Sequence, residues 1–393
     1  GVFAQGYFSE KLNWTYHWWA YALVAWLVVA LMGALRVDIN SRILAVLLFI
    51  EVAVVAIFDI VDLAHPHGGS VSVTSFEPNK LFVTGVGVAF AIAVTAFTGF
   101  EAAPVFSEES RHAKRTVPAA TYLAIAVMGI IYAVTAWAVT VGDGAANVVS
   151  DARKSESGLI FDVAGRVLGA NSFIVNLGNV LLLTSVFAAL VSFHNSVTRY
   201  SFALGRERVL PSGLGRTRPR SGAPMVASLT QTVLALIVIV LFAAEGWDPL
   251  FKLFFWLGTT GGFGILILLF ATSLSVIKFF ARDHMGESVW TRIIAPILAV
   301  IALGYIGYET LHSFGELLGT TGAARWALPS LYAVVAIIGI AWAFLLRSSK
   351  PDVYAAIGLG ANASTITVPA PRAAVETAPA TEDAGMAEAT SPE

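Results

Sequence analysis

The chain has 393 residues, of which 57% are hydrophobic and only 13% are charged. Soluble domains carry about 25% charged residues, so this composition indicates a protein that crosses a membrane several times. The net charge is −2 and no basic region is set apart, which gives no support for nucleic-acid binding. The sequence contains no cysteine, which excludes disulfides, thiolate metal sites and cysteine nucleophiles.

The chain begins at Gly1 without an initiator Met, and its first residues lack the basic and apolar regions of a signal peptide. We interpret this start as a break within a longer protein, and residues 1–16 as an external loop.

Nine apolar segments follow along the chain. Crossing the hydrocarbon core takes about 20 largely apolar residues, and each segment meets this requirement. Together they predict a membrane domain over residues 17–350, with spans at about 17–35, 42–62, 81–107, 117–142, 173–202, 224–244, 250–280, 292–313 and 327–346.

The loops between these spans differ in charge from one side to the other. If the chain starts outside, 17 of the 24 Lys and Arg residues lie on one side and 7 on the other. Cytoplasmic loops carry the excess of positive charge. We therefore expect a multi-pass protein of the cytoplasmic membrane, with its start outside and its C-terminus in the cytoplasm.

Two segments fall outside the spans. Residues 143–172 predict a polar external loop in which residues 158–168 (GLIFDVAGRVL) have the pattern of a short amphipathic helix. Residues 351–393 are rich in Ala, Pro, Thr and Glu and cannot bury a core, so we predict a disordered cytoplasmic tail.

Motifs of enzymes and of ATP-driven pumps are absent from the sequence. It has no GxxxxGK[ST], no HExxH and no GxSxG, so we expect no enzyme activity, no cofactor and no metal site. The glycine-rich stretch Gly258–Gly264 lies inside a span. There it favours close helix packing or a break of the backbone over a phosphate site.

Several polar residues lie within the predicted spans, where they are costly and are candidates for a function. Glu51 follows Arg42 by nine residues and lies about 13 Å into the membrane. It is either a proton carrier or a protonated carboxyl that is hydrogen-bonded for packing. Asp59 and Asp62 approach the outer boundary, where we expect them to reach toward water. The run Ser192–Ser196 either lines a cavity or bonds to neighbouring helices.

The stretch TAFTGFEAAPVFSEESRHAKRTVP, residues 95–118, places Gly99, Phe100 and Glu101 in an apolar span. A Gly-aromatic-acid triplet can interrupt a helix, and the freed backbone groups must then line a cavity or pack on protein. Alternatively, the helix ends near Phe100 and Glu101 lies at the interface. The apolar residues that follow Glu101 favour the interruption.

Three stretches resemble the amino acid–polyamine–organocation permeases. They are FTGFEAAPVFSEESRHAKRTVPAATYLA, NSVTRYSFALGRERVLPSGLGRTRPRSGAP and ALRVDINSRILAVLLFIEVAVVAIFDI. The resemblance runs from about Trp18 to Arg347. It implies an all-α LeuT-like fold of twelve helices with five-plus-five inverted repeats. The nine spans would be helices four to twelve, and the first three would be missing.

The resemblance also implies roles for particular residues. The broken sixth helix of the family matches Phe97–Glu101, so Phe97, Thr98, Gly99 and Phe100 would bind substrate, and Glu101 would serve in coupling or gating. By the same resemblance, two residues of the fifth span, Phe193 and Asn195, would contact substrate. Several proton-coupled relatives place a Lys near the position of Glu51, so the Glu found here departs from that mechanism and is instead a candidate proton carrier.

These observations predict a secondary transporter that moves amino acids or related amines by alternating access. The expected coupling ion is a proton, with sodium as the alternative, and the remaining partner is the lipid bilayer. Two other classes stay open, namely a non-transporting sensor or scaffold with a permease fold and a passive channel.

Overall fold

The computed structural model describes residues 1–360 except 36–40, 81–84, 106, 108–109, 111, 219–222 and 283–284. The helices in this part of the chain are α1 (Val2–Leu12), α2 (Trp18–Leu35), α3 (Ser41–Ala64), α4 (Val86–Phe97), α5 (Ala102–Val105), α6 (Ala113–Asp143), α7 (Val148–Ser155), α8 (Leu159–Leu168), α9 (Phe173–Arg206), α10 (Met225–Ala244), α11 (Leu257–Phe280), α12 (Ala295–His312), α13 (Phe314–Leu317), α14 (Ala327–Ser349) and α15 (Pro351–Ala356). Wider π-helical turns at Pro249–Trp256 and Trp290–Ile294 lead into α11 and α12.

Seven helical segments of the described chain are long and apolar enough to cross a membrane, and one of them, Val86–Val105, joins α4 and α5. The predicted spans 17–35 and 42–62 coincide with α2 and α3 but are not among these seven. The apolar part of α2 covers only Trp18–Gly33. Helix α3 carries three acids, Glu51, Asp59 and Asp62. The predicted all-α, polytopic fold class is confirmed.

The first residues differ from the expected loop, because residues 2–12 form helix α1. This helix is too short to span a membrane, but its aromatic side chains give it neighbours to pack on. The Phe8 ring stacks on Trp14 at 5.6 Å and on Tyr21 at 5.7 Å, and Phe3 meets Phe254 edge-on at 6.2 Å. Aromatic contacts of this kind stabilise a short helix that its own hydrogen bonds would not.

One apolar core lies where α3, α8 and α9 meet. The amphipathic pattern of residues 158–168 correctly predicts α8, whose Val163 and Ala164 are buried. Phe161 of α8 meets Phe58 of α3 edge-on, with ring centroids 6.0 Å apart. The fully buried members of this core are Val54, Phe58, Ala164, Val175 and Leu181.

A second core joins α11 to α13 and is covered by α4, α12 and α14. Its buried members are Phe263, Leu266, Phe314 and Leu318. Helix α11 runs without interruption through Gly258–Gly264, so the stretch is not a backbone break, and two of its glycines serve close packing. Gly262 lies directly against Thr95 of α4, and Gly264 lies against Tyr332 of α14. Small residues permit this close approach of membrane helices.

Helices α2, α9 and α10 form a third bundle with polar contacts inside it. The Trp26 indole donates to the Thr232 carbonyl at 2.9 Å, and His194 Nε2 lies 2.9 Å from Ser228 Oγ. Gly33 packs on this His–Ser pair, because a Cβ there would lie 2.8 Å from His194 Nε2. Within the run Ser192–Ser196, His194 therefore forms its hydrogen bond with a neighbouring helix, α10.

The predicted tail starts later than expected, because Pro351–Ala356 forms α15 and residues 357–360 are described as well. The backbone N–H groups of Gly358 and Gly360 donate to the Glu207 carboxylate at 3.2 and 2.9 Å. The Trp342 indole donates to the carbonyl of Val209 at 3.0 Å. The two bonds to Glu207 hold residues 357–360 at the end of α9, and the Trp342 bond holds α14 at the same place. The rest of the predicted disordered tail, residues 361–393, lies outside the described residues.

Replacing Gly142 of α6 with Ala should lower the melting temperature of the purified protein in detergent. A Cβ at this position would lie 2.9 Å from both Asp62 Cβ and Val163 Cγ1, so α3 and α8 would have to move. Overpacking of this kind costs about 1–3 kcal/mol. Gly129→Ala on the same helix is the matched control, because its nearest contact would be an ordinary 3.7 Å to Phe97 Cζ. Equal melting temperatures for the two variants would contradict the packing described here.

Candidate functional site

The span that begins at α4 is interrupted at residues 98–101. Helix α4 ends at Phe97, Thr98 is extended with φ −56° and ψ 128°, and Gly99 has φ +118°. Only glycine adopts such a positive φ at little cost, so Gly99 is the residue that permits the interruption. The chain resumes as α5 after Ala102 N–H donates to the Gly99 carbonyl at 3.0 Å.

The Glu101 carboxylate lies within the interruption and bonds to it. Its Oε2 accepts the Gly99 N–H at 2.8 Å, which satisfies a donor that the broken helix has freed. Thr98 Oγ1 donates back to the Val94 carbonyl at 3.3 Å. The space beside Gly99 is open, since an added Cβ would have no heavy atom within 4 Å. The backbone of the interruption is therefore accessible to a small molecule.

Helix α6 supports the interruption from one side. The Tyr132 hydroxyl donates to the Ala96 carbonyl at 2.9 Å, in the last turn of α4. The rings of Phe97 and Tyr132 meet edge-on with centroids 5.5 Å apart. Phe97 thus packs on α6. Tyr132 was not identified from the sequence, where its only signal is a hydroxyl in an apolar span.

Two close helix contacts fix α4 itself. Near its end, Thr95 lies against Gly262 of α11, and near its start, Gly87 lies against the Glu309 carbonyl and Ser313 Oγ of the α12–α13 region. Because glycine has no side chain at either contact, the neighbouring helices approach α4 closely, and the first half of the interrupted span is held at both ends.

The two predicted residues of α9 are not brought to the interruption by any contact among the described residues. Phe193 is 47% exposed and Asn195 is exposed. Among the described residues, neither side chain forms a hydrogen bond or a ring contact with residues 97–101. Helix α9 does pack against α5. The roles of Phe193 and Asn195 remain predictions that rest on the resemblance.

Glu51 also lies apart from the interruption. Its carboxylate accepts a hydrogen bond from Ser185 Oγ of α9 at 3.2 Å, and its side chain is half-buried. This is the geometry expected of a carboxyl that is hydrogen-bonded for packing, and it leaves the second oxygen of Glu51 available for a proton.

Asp59 and Asp62 do not reach toward water as we expected. Asp59 is 7% exposed and Asp62 is 1% exposed, because α6 and α8 cover this end of α3. Thr135 Oγ1 of α6 donates to Asp59 Oδ2 at 2.9 Å. In the sequence these acids lie at the end of a predicted span, and that position does not indicate that α6 and α8 pack over them.

The described residues define a class of protein: a polytopic, all-α membrane protein in which a span is interrupted at residues 98–101. The chain belongs to the amino acid permease family, whose family model matches residues 1–338. Membership in this family places the chain among permeases and not among enzymes, in agreement with the sequence analysis.

Curated relatives support the assignment at low identity. The chain is 21% identical to the vacuolar cationic amino acid transporter 8 of Arabidopsis thaliana over 304 residues, which cover 77% of this chain and 47% of that protein. It is 23% identical to the low-affinity putrescine importer PlaP of Escherichia coli K12, over 58% of this chain and 48% of PlaP. It is 30% identical to the branched-chain amino acid permease BcaP of Bacillus subtilis, over 48% of this chain and 36% of BcaP. The matches span about half the length of these relatives or less.

Proposed function

We propose that this chain forms part of a secondary transporter that carries amino acids or related amines across the cytoplasmic membrane by alternating access. The observation that carries the proposal is the interruption at residues 98–101, with an open space beside Gly99. Interrupted helices at membrane depth offer carbonyls and N–H groups to charged substrates. The names of the relatives, which include cationic and branched-chain amino acids and putrescine, agree with this substrate class.

Residues Phe97, Thr98, Gly99 and Phe100 are the proposed contacts to substrate from this side. Unwound carbonyls would accept hydrogen bonds from a substrate amino group. The Phe100 ring, which directly follows Gly99, would cover the bound molecule. Phe193 and Asn195 of α9 are proposed contacts from the facing helix.

We further propose that transport is coupled to protons, with Glu101 and Glu51 as the carboxyls that carry or gate them, and that sodium is the alternative ion. Among the described residues, the Glu101 carboxylate accepts a hydrogen bond from the Gly99 N–H, and the Glu51 carboxylate accepts one from Ser185 Oγ. Carboxyls within membrane spans mark ion pathways and proton relays.

Uptake into proteoliposomes tests the proposed function. The full-length protein should take up labelled arginine, leucine or putrescine with saturable kinetics, and a pH gradient should drive accumulation. Flux that does not saturate and ignores the gradient would indicate a channel instead. No flux of any of these compounds, from protein shown to be folded, would favour a sensor or scaffold.

The proposed orientation can be tested by labelling, because residues 1–393 contain no cysteine that would react at a second position. Ala146→Cys lies in the segment between α6 and α7, and Thr217→Cys lies between α9 and α10, both at exposed positions. We expect an impermeant maleimide to label Ala146→Cys on intact cells and Thr217→Cys only after permeabilisation. The reverse pattern would overturn the orientation.

A further inference from the structure

Three buried acids meet at the end of α3 and α6 that α8 covers. Asp59 and Asp62 are three residues apart and so lie on one face of α3, and Asp143 is the last residue of α6. Their exposures are 7%, 1% and 0%. Gly142 brings the two helices together here, since even a Cβ at that residue would lie 2.9 Å from Asp62 Cβ.

The hydrogen bonds of this acid cluster (Asp59, Asp62 and Asp143) satisfy only two of its six carboxyl oxygens. Asp59 Oδ2 accepts from Thr135, and Asp143 Oδ1 accepts from Arg166 Nη1 of α8 at 2.6 Å. The other four oxygens, Asp59 Oδ1, Asp143 Oδ2 and both oxygens of Asp62, are buried without a hydrogen-bond partner among the described residues. Asp62 is thus a buried, unpartnered carboxyl that faces the other two acids.

Among the described residues, one cation, Arg166, forms an ion pair with this cluster. Arg166 is bound to Asp143, which raises the pKa of the guanidinium further and keeps it charged. Arg166 is also shared with Asp151 of α7, whose Oδ2 lies 3.3 Å from Nη2. Asp151 is itself ionised, because hydrogen bonds from Lys154 and Ser150, together with Arg166, hold its pKa below the usual range.

The surrounding elements offer little further charge. The exposed Asp162 lies on α8, Lys154 bonds to Asp151, and residues 173–193 of α9 contain no ionisable side chain.

The titratable groups near the ends of α3 have other contacts. His65, just after α3, has its Nδ1 3.0 Å from the Val61 carbonyl, and His67 packs at Gly144 and Asn147. Glu51 is eleven residues, about three turns, before Asp62 on the same helix.

Three ionised carboxylates cannot be buried against one half-exposed guanidinium at tolerable cost. A buried charge without a partner costs several kcal/mol, whereas a neutral carboxyl costs far less. Carboxyls that share a site therefore retain a proton. A proton retained by one of the three carboxyls removes a buried negative charge without requiring any further partner.

We propose that the acid cluster is a proton-binding site, that Asp62 carries the proton, and that Arg166 positions the site by its bond to Asp143. This site is separate from Glu101 and Glu51. Proton binding here does not depend on transport; only its use in coupling rests on the proposed function.

The melting temperature in detergent, measured from pH 5 to pH 9, tests proton binding without any transport assay. If the folded protein binds a proton that the unfolded chain releases, stability is greatest at low pH and declines as pH rises. We expect the wild type to lose about 2 °C per pH unit in the range where the proton is bound. Asp62→Asn, which mimics the neutral acid, should flatten this slope and melt above the wild type at pH 9.

The matched control is Asp162→Asn, an exposed acid of α8 that lies outside the cluster, and it should keep the wild-type slope. The infrared carbonyl band of protonated carboxyls gives a second readout, and it should be weaker in Asp62→Asn at neutral pH. An Asp62→Asn protein with the wild-type slope and an unchanged band would overturn the proposal. If that variant does not fold, an absent protonated-carboxyl band in the wild type at neutral pH would overturn it equally.

Discussion

Replacing Gly262 with Val should remove most of the uptake activity and lower the melting temperature, because the new side chain displaces the end of α4. A Cβ at residue 262 would collide with Thr95 Oγ1 and lie 3.1 Å from both Thr95 Cα and Cβ. Thr95 cannot turn away freely, because its hydroxyl donates to the Ala91 carbonyl at 2.9 Å. Overpacking lowers stability by about 1–3 kcal/mol. Since it also displaces the end of α4 from the interruption, we expect uptake to fall on the order of tenfold or more.

The neighbouring residue supplies the control for this prediction. Gly261→Val makes the same change one position earlier, where an added Cβ would have no heavy atom within 4 Å. We expect this variant to keep its uptake rate and its melting temperature. If both variants are equally active in proteoliposomes, the contact between α4 and α11 does not hold the interrupted span in place.

Substitution of Glu101 should separate a structural role from a coupling role. Gln keeps an oxygen that can accept the Gly99 N–H bond, now 2.8 Å long, but carries no charge and no proton. We expect Glu101→Gln to lose gradient-driven accumulation while it retains exchange of labelled for unlabelled substrate. Glu101→Ala removes the acceptor as well, leaves the Gly99 donor unsatisfied, and should lose both activities.

The exposed Glu245, at the end of α10, provides a control for the loss of a carboxylate, and Glu245→Gln should behave as the wild type. Accumulation at the wild-type level in Glu101→Gln, together with impaired Glu101→Ala, would leave Glu101 as a hydrogen-bond acceptor only. That outcome would remove it from the proposed proton pathway.

The interrupted span shows how far local sequence can predict this structure. Gly99 and Glu101 indicated a helix break because glycine tolerates a positive φ and a carboxylate can bind a freed N–H. Both causes act within three residues, so both are visible in the sequence. The amphipathic helix α8 was predicted for the same reason, since its pattern is local.

The acid cluster and the end of α9 show where that reasoning stops. From the sequence, Asp59 and Asp62 were expected to lie at the membrane boundary. Their burial depends on α6 and α8, two helices that follow much later in the chain. Glu207 accepts hydrogen bonds from the backbone N–H groups of Gly358 and Gly360. Almost every residue type has a backbone N–H, so the sequence does not show which residues donate. Contacts of this range require the packed structure.

The binding of Glu207 by Gly358 and Gly360 has a practical consequence for optical measurements. Anything attached after Gly360 begins its linker beside the end of α9, at a point fixed by two hydrogen bonds and by the nearby Trp342–Val209 contact. A fluorophore placed there would follow displacement of α9. Paired with a second dye at residue 146, it would report such a displacement as a change in energy-transfer efficiency.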